Sequence, residues 1–280
     1  MNYIDYRPVA NGRATLAKLA RQSKGGLISV SAAAKATGVS ERAATAQLRR
    51  LTRHGWLHRV RRGLYSVRPL EAAPGEPSST EDSWVLAREV FSPCYIGGWT
   101  AAEHWELTEQ LFRSTLVVTA ASVRATDVRI GGNAFHLARM PAARLGPGTE
   151  SLWRGRERVA VSGPERTIVD CLRRPDLCGG IRHLAQIAQA YGESRRASFT
   201  KLIDVAKEAA SGAAWKRLGY LAETLWPRET AVLDAARKHL TMGHAQLDPD
   251  VRHGGPLVTR WRLRVNVDLD EYAAHPRPKA

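Results

Sequence analysis

The stretch that decides the fold runs from Ser40 to Val67, SERAATAQLRRLTRHGWLHRVRRGLYSV. Ser40 is an N-cap residue: its hydroxyl can accept from an orphan backbone N–H at a helix start. Ala44, Leu48 and Leu51 follow at helical spacing and form a narrow apolar stripe. The opposite face carries Arg42, Thr45, Ala46, Arg49, Arg50 and Arg53. Gly55 ends the predicted helix, because Gly accepts the left-handed conformation of a C-cap. Trp56, Leu57 and Val60 lead into the basic turn Arg61-Arg62-Gly63, and Leu64, Tyr65 and Val67 return as a second strand.

Upstream, Val30 to Ser40 reads as a short Ala-rich helix, a Gly turn at Gly38 and a new N-cap. Two helices joined by a short Gly-containing turn are a helix-turn-helix. With the ribbon added, the segment resembles the winged helix-turn-helix of prokaryotic DNA-binding regulators. Such a motif places its second helix in the major groove. In that reading Arg42, Thr45 and Arg49 face base edges, and Arg50 and Arg53 meet phosphates. Arg59, Arg61 and Arg62 on the wing track the backbone. The competing reading is a solvated basic helix with no ligand. Before this motif, Asn11 to Arg21 reads as a first helix with Leu16, Leu19 and Ala20 on one side, and Leu27-Ile28 as a short strand pairing with the wing.

Charge is segregated in the same way. The chain of 280 residues has a formal net charge of +15. Residues 1–70 hold 14 Lys/Arg against 2 Asp/Glu, and residues 71–280 hold 28 against 25. A polyanion-binding surface is therefore expected in the N-terminal quarter, since solubility alone would not partition charge so unevenly. Cys94, Cys171 and Cys178 lack CxxC spacing and a His cluster, so neither a disulfide framework nor a zinc site is expected. They read as buried thiols. The first residues, MNYIDYRPVANGRATLAK, lack the apolar core of a signal peptide. No run approaches the ~20 apolar residues of a membrane span. The expected setting is cytoplasmic, with no membrane partner.

Pro69 to Ser79 (PLEAAPGEPSS) has linker composition. The expected division is a winged-helix domain at 1–70 and a second domain at 80–280, with 69–79 between them. Beyond it, Thr80 is expected to cap a helix with Trp84, Ala87 and Phe91 inward. Thr100–Glu103 and Ser162–Glu165 read as capping boxes. Thr115–Thr119 reads as a buried strand, 128–137 as a hairpin through Gly131-Gly132, and Arg156–Val161 as another strand. Helices are predicted over Glu165–Leu172, Ile181–Tyr191, Phe199–Ala209, Ala214–Leu225 and Thr230–Leu240. The alternation Trp261 to Val267 predicts a strand with one buried face. The fold class is α+β: an N-terminal winged helix-turn-helix followed by a mixed α+β domain.

Several stretches together resemble the AbiEi-like antitoxins of bacterial type IV toxin–antitoxin (abortive infection) systems. They are Arg62-Gly63-Leu64-Tyr65, Tyr95–Gln110 (YIGGWTAAEHWELTEQ), Val161–Asp170 (VSGPERTIVD) with Gly179-Gly180-Ile181, Arg217–Leu225 (RLGYLAETL) and Trp261–Asn266. The chain departs from the pattern at Trp105, where a small residue is more usual; altered local packing is expected there. The resemblance implies a DNA-binding first domain and a second domain that neutralises a nucleotidyltransferase-like toxin, with or without direct contact. It also implies repression of the protein's own operon at promoter DNA, at inverted repeats. The alternative is a stand-alone winged-helix regulator whose second domain senses a ligand or partner.

No enzyme is read in the second domain. Glu165 and Asp170 lie about 140° apart on a helix and do not converge. Pro175-Asp176 is not followed by the Glu-x-Lys of a metal-dependent nuclease, and there is no phosphate loop or GxSxG elbow. His104 and His136 lack metal-ligand spacing partners and read as buried histidines. Trp215 and Tyr220 read as core. No catalytic residue, cofactor or metal is expected.

Overall fold

A computed structural model describes residues 10–67, 82–123, 125–252 and 254–272. The N-terminal elements are α1 (Ala10–Gln22), β1 (Leu27–Ser29), α2 (Val30–Thr37), α3 (Glu41–Arg53), β2 (Leu57–Arg61) and β3 (Leu64–Val67). Ser29 caps α2 by accepting from Ala32 N–H at 3.2 Å, and Ser40 caps α3 by accepting from Ala43 N–H at 3.3 Å. Gly55, at φ +75°, stops α3. Its N–H reaches Thr52 O and that of Trp56 reaches Leu51 O, both at 3.0 Å, which is a Schellman ending. The three strands form an antiparallel sheet in the order β1-β3-β2, with Ile28 opposite Tyr65.

Leu16, Leu19, Ile28, Ala33, Ala44, Leu48, Leu51, Leu57 and Tyr65 form one core beneath these elements. The alanines let α2 and α3 approach closely. Burying each leucine contributes about 1.5–3 kcal/mol. The predicted apolar stripe of α3 is the buried one, and the predicted pairing of residues 27–28 with the wing is present.

The remaining elements are α4 (Ser83–Phe91), β4 (Cys94–Ile96), α5 (Gly98–His104), β5 (Thr115–Thr119), β6 (Asp127–Ile130), β7 (Asn133–Arg139), β8 (Thr149–Arg154), β9 (Glu157–Ser162), α6 (Pro164–Arg173), α7 (Ile181–Glu193), α8 (Phe199–Ala209), α9 (Gly212–Leu225), α10 (Thr230–Lys238), β10 (Ala245–Gln246), β11 (Leu257–Val258) and β12 (Leu263–Arg264). A six-stranded sheet has the order β6-β7-β5-β4-β9-β8, with β4 antiparallel to β5 and parallel to β9. The short strands β10, β12 and β11 make a third sheet. The class is α+β. The described residues fall into two compact units: one comprises those within 1–90, 127–135 and 153–159, and the other those within 91–126, 136–152 and 160–280. The expected linker 69–79 and the expected cap Thr80 lie outside the described residues. The described cap of α4 is Asp82, whose Oδ1 accepts from Trp84 N–H at 2.9 Å.

Several local expectations are corrected. Neither capping box forms. The N-cap of α5 is Gly97, so Thr100 lies within the helix and accepts from Leu116 N–H. The N-cap of α6 is Gly163, which leaves Ser162 one residue outside, bonded to Thr167 Oγ1 at 2.7 Å. Trp261 to Val267 is not one strand. A 3-10 turn spans Thr259–Trp261, and Arg262 at φ +51° breaks the extended backbone before the two-residue β12. Trp261 and Leu263 are buried all the same. His104 and His136 are half-buried rather than buried, as is Cys94. Strand β8 has no counterpart in the sequence reading, because Thr149–Arg154 lacks a β-branched run.

Candidate nucleic-acid interface

Helix α3 advances 100° per residue, which places Arg42, Ala46, Arg49 and Arg53 within about 60° of one another. Ala44, Leu48 and Leu51 lie on the opposite side, in the core. Arg42, Arg49, Arg50 and Arg53 are exposed. From Arg42 to Arg53 the stripe is about 16 Å long, some five base-pair steps. Arg50 flanks it on one side and Thr45 on the other. Thr45 is half-buried, and its hydroxyl donates to Glu41 O at 2.8 Å, so only its lone pairs face outward. Glu41, in the first turn, is the single acidic residue of α3.

The wing adds Arg59, Arg61 and Arg62, all exposed. A register shift between Arg59 and Arg61 bends β2 near its tip. Arg61 Nη2 also lies 3.5 Å from Glu89 O, at the outer limit of a hydrogen bond. All eight residues singled out from the sequence thus belong to one small unit. Seven are exposed cations and the eighth is a half-buried threonine. An arginine carries its charge at any physiological pH. The surface can therefore meet phosphates electrostatically and offer guanidinium forks to base edges.

Several polar residues of the second unit are turned inward, among them Glu165, Arg166, Asp170 and Arg217. Arg166 Nε donates to Asp170 Oδ2 at 2.9 Å, and its two Nη atoms donate to Pro147 O and Arg144 O, each at 2.8 Å. Glu165 accepts from Tyr191 OH at 3.1 Å and pairs with Lys201 at 3.0 Å. The two carboxylates of α6 thus have different partners, as their angular separation requires. Burial, reinforced by the neighbouring Asp170 carboxylate, pushes the Tyr95 phenol well above its ordinary pKa. Arg217 donates to Leu172 O at 2.7 Å, Leu247 O at 2.9 Å and Gln246 O at 2.9 Å. Trp105 Nε1 donates to Ser162 O at 2.7 Å, so the departure at this position is a buried, bonded indole. Trp215 and Tyr220 are core residues. No group of three metal-ligating side chains occurs among the described residues, and none of their helices is long and apolar enough to cross a membrane. These networks hold elements together. Sequence reasoning assigned Arg217 and Tyr95 no role, because their partners lie 29 or more residues away.

The crystal structure of the RV2827C protein from Mycobacterium tuberculosis shares the fold, with a TM-score of 0.60 and 20% identity over 92% of each chain. No curated protein matches the chain. Residues 15–68, which hold α2, α3 and both wing strands, match the family described as "Transcriptional regulator, AbiEi antitoxin", the family that the sequence resembles.

Proposed function

We propose that this protein is the antitoxin of a type IV toxin–antitoxin pair. In this reading it opposes a nucleotidyltransferase-like toxin and represses its own operon by binding promoter duplex at inverted repeats. The observation that carries the DNA half is the arginine stripe of α3, fully opposite the core and continued by three arginines on the wing. Arg42, Thr45 and Arg49 read base edges; Arg50, Arg53, Arg59, Arg61 and Arg62 hold the backbone. The antitoxin half is supported by the family match over residues 15–68 and by the resemblance that extends to Asn266. No residue is assigned a catalytic role, and the protein works in the cytoplasm.

The test is a binding titration of the full chain with duplex from upstream of its own gene and with a scrambled duplex, over a range of salt. Specific complexes are typically about 10³–10⁷ tighter than non-specific ones. Equal affinity for the two duplexes would refute operator recognition. Co-expression with a neighbouring nucleotidyltransferase-fold gene tests the antitoxin half: growth should be restored. Operator binding without any such rescue would favour a stand-alone regulator.

A further inference from the structure

Strands β8 and β9 are joined by the two-residue turn Gly155-Arg156, with Gly155 at φ +60°. A turn of this length pairs Arg154 with Glu157 and Trp153 with Arg158, and side chains alternate between faces along each strand. One face is occupied. The Arg154 guanidinium lies 4.0 Å from the centre of the Trp84 ring and 3.8 Å from Asp82, and Glu157 accepts from Arg88 at 2.7 Å. These contacts tie the tip to α4. The other face is open to solvent. Trp153 is 63% exposed, and the Arg158 guanidinium sits 4.8 Å over its ring. Arg156 projects from the turn and is exposed.

This tip is linked to the wing through the end of α4. Arg61 of the wing reaches Glu89 O, and the adjacent Arg88 donates to Glu157 and to Arg158 O at 3.1 Å. Glu157, the only carboxylate of the tip, is already turned to Arg88. The cations of the wing thus run on to Arg156 and Arg158 within the same compact unit.

We propose that the hairpin tip, Trp153 to Arg158, is a second duplex-DNA contact that grips the sugar–phosphate backbone beyond the wing. The inference rests on the proposed DNA reading of α3 and the wing. Charge selects the occupant. The tip offers arginines and no apolar surface besides one ring, and that ring is a platform for a guanidinium. Trp153 holds Arg158 extended by cation–π attraction, which lowers the ordering cost of a phosphate contact.

The experiment compares the full chain with Arg156→Ala/Arg158→Ala on a long operator duplex, by salt-dependent titration and backbone footprinting. Both residues are exposed, so melting should be unchanged. Each lost phosphate contact flattens the slope of log K against log [salt] by about 0.9, so the double variant should lose about 2 units of slope. Affinity should fall roughly 10-fold, with the ratio of operator to scrambled duplex retained. Protection should vanish at one end of the footprint only. Arg156→Lys/Arg158→Lys should recover most of the loss, because a phosphate needs only the charge. Trp153→Ala should weaken binding about as much as Arg158→Ala alone. Unchanged affinity, slope and footprint in the double Ala variant would overturn the proposal. So would a variant that binds DNA normally but no longer protects against the toxin, since the occupant would then be a protein. Failure of the unaltered chain to bind any duplex would instead overturn the function proposed above.

Discussion

Tyr95 donates its phenolic hydrogen to Asp170 Oδ2 at 2.6 Å, joining β4 to α6 across 75 residues of sequence. The same oxygen accepts from Arg166 Nε, and Asp170 is 1% exposed. Its other oxygen has Arg173 Nη1 at 3.7 Å, a charge contact too long for a hydrogen bond. Asp170 is thus the counter-charge of a buried guanidinium. Asp170→Ala should destabilise the protein by about 3–5 kcal/mol, because Arg166 would remain buried without compensation. Replacing both by apolar residues, Arg166→Met with Asp170→Leu, should cost less than the single change. Urea unfolding of the three proteins measures this, and a loss below about 1 kcal/mol for Asp170→Ala would contradict it.

A second stability prediction concerns Gly219 and Trp261. A Cβ built on Gly219 would lie 2.2 Å from Trp261 Cζ3. Trp261 is 1% exposed, and its Nε1 donates to Glu223 Oε2 at 2.9 Å, so the ring has little room to move. Alanine gains up to about 1 kcal/mol over glycine as a helix former. Overpacking costs about 1–3 kcal/mol or more, and here the overlap is severe. Gly219→Ala should therefore lower the melting temperature, whereas an alanine at a helical glycine usually raises it. An unchanged or raised melting temperature would mean that the indole shifts freely.

These two clusters mark what a single sequence discloses. The winged helix was legible because its signals are local: Ser40 caps, Leu48 and Leu51 repeat at helical spacing, and Gly55 stops the helix within one short stretch. The helices of the second unit were legible for the same reason. What could not be read is what long-range packing decides. Trp261 and Leu263 alternate as strand residues do, but the ring must reach Gly219, and a left-handed Arg262 places it there. Ser162 and Thr100 have capping-box spacing, yet neighbouring glycines take the N-cap positions. At the candidate site, residue identities and exposure were legible from the stripe on α3. The hairpin tip was not, because only the pairing of β8 with β9 brings Trp153 to Arg158.

His183 predicts a pH dependence. Its Nδ1 is bonded to Cys178 O and its Nε2 to Thr108 Oγ1 at 2.7 Å. The neutral tautomer with hydrogen on Nδ1 satisfies both partners. Burial lowers its pKa, outweighing the backbone bond to Cys178, which raises it. The unfolded chain therefore binds the proton more readily than the folded one. The stability that His183 contributes is fully present above the unfolded value of about 6.5 and is lost as pH falls below it. Urea midpoints from pH 8 to pH 5 should fall less steeply for His183→Asn than for the unaltered protein. Parallel curves would assign the acid sensitivity to other groups.

At the interface, α3 and the wing should separate by specificity. Arg49 lies in the middle of the stripe, whereas Arg61 and Arg62 lie at the wing turn. Loss of a bidentate arginine–guanine contact costs about 1–3 kcal/mol on the matching site and little elsewhere. Arg42→Ala and Arg49→Ala should weaken operator binding selectively, while Arg61→Ala/Arg62→Ala should weaken operator and scrambled duplex alike. Competition titrations decide this. Equal losses on both duplexes for Arg49→Ala would mean that α3 does not read bases.

Repression and toxin neutralisation should also be separable. The arginines of α3 lie outside the core, and the second unit has its own buried networks around Arg166 and Arg217. Changing Arg42, Arg49 and Arg53 together to Ala removes three exposed cations and no core residue. Such surface changes usually alter stability by less than about 0.5 kcal/mol each, so the variant should fold. It should lose promoter binding but still protect cells when expressed from an unrelated promoter. Leu221→Ala acts in the opposite sense: Leu221 is 1% exposed on α9, and truncating a buried leucine costs about 2–5 kcal/mol. That variant should lose protection, and it keeps operator binding if the N-terminal unit folds independently. Operator shifts and toxin co-expression growth, measured at matched protein levels, give both readouts. If the folded triple-arginine variant fails to protect, neutralisation acts through DNA, and the second unit serves to assemble the DNA reader rather than to oppose the toxin itself.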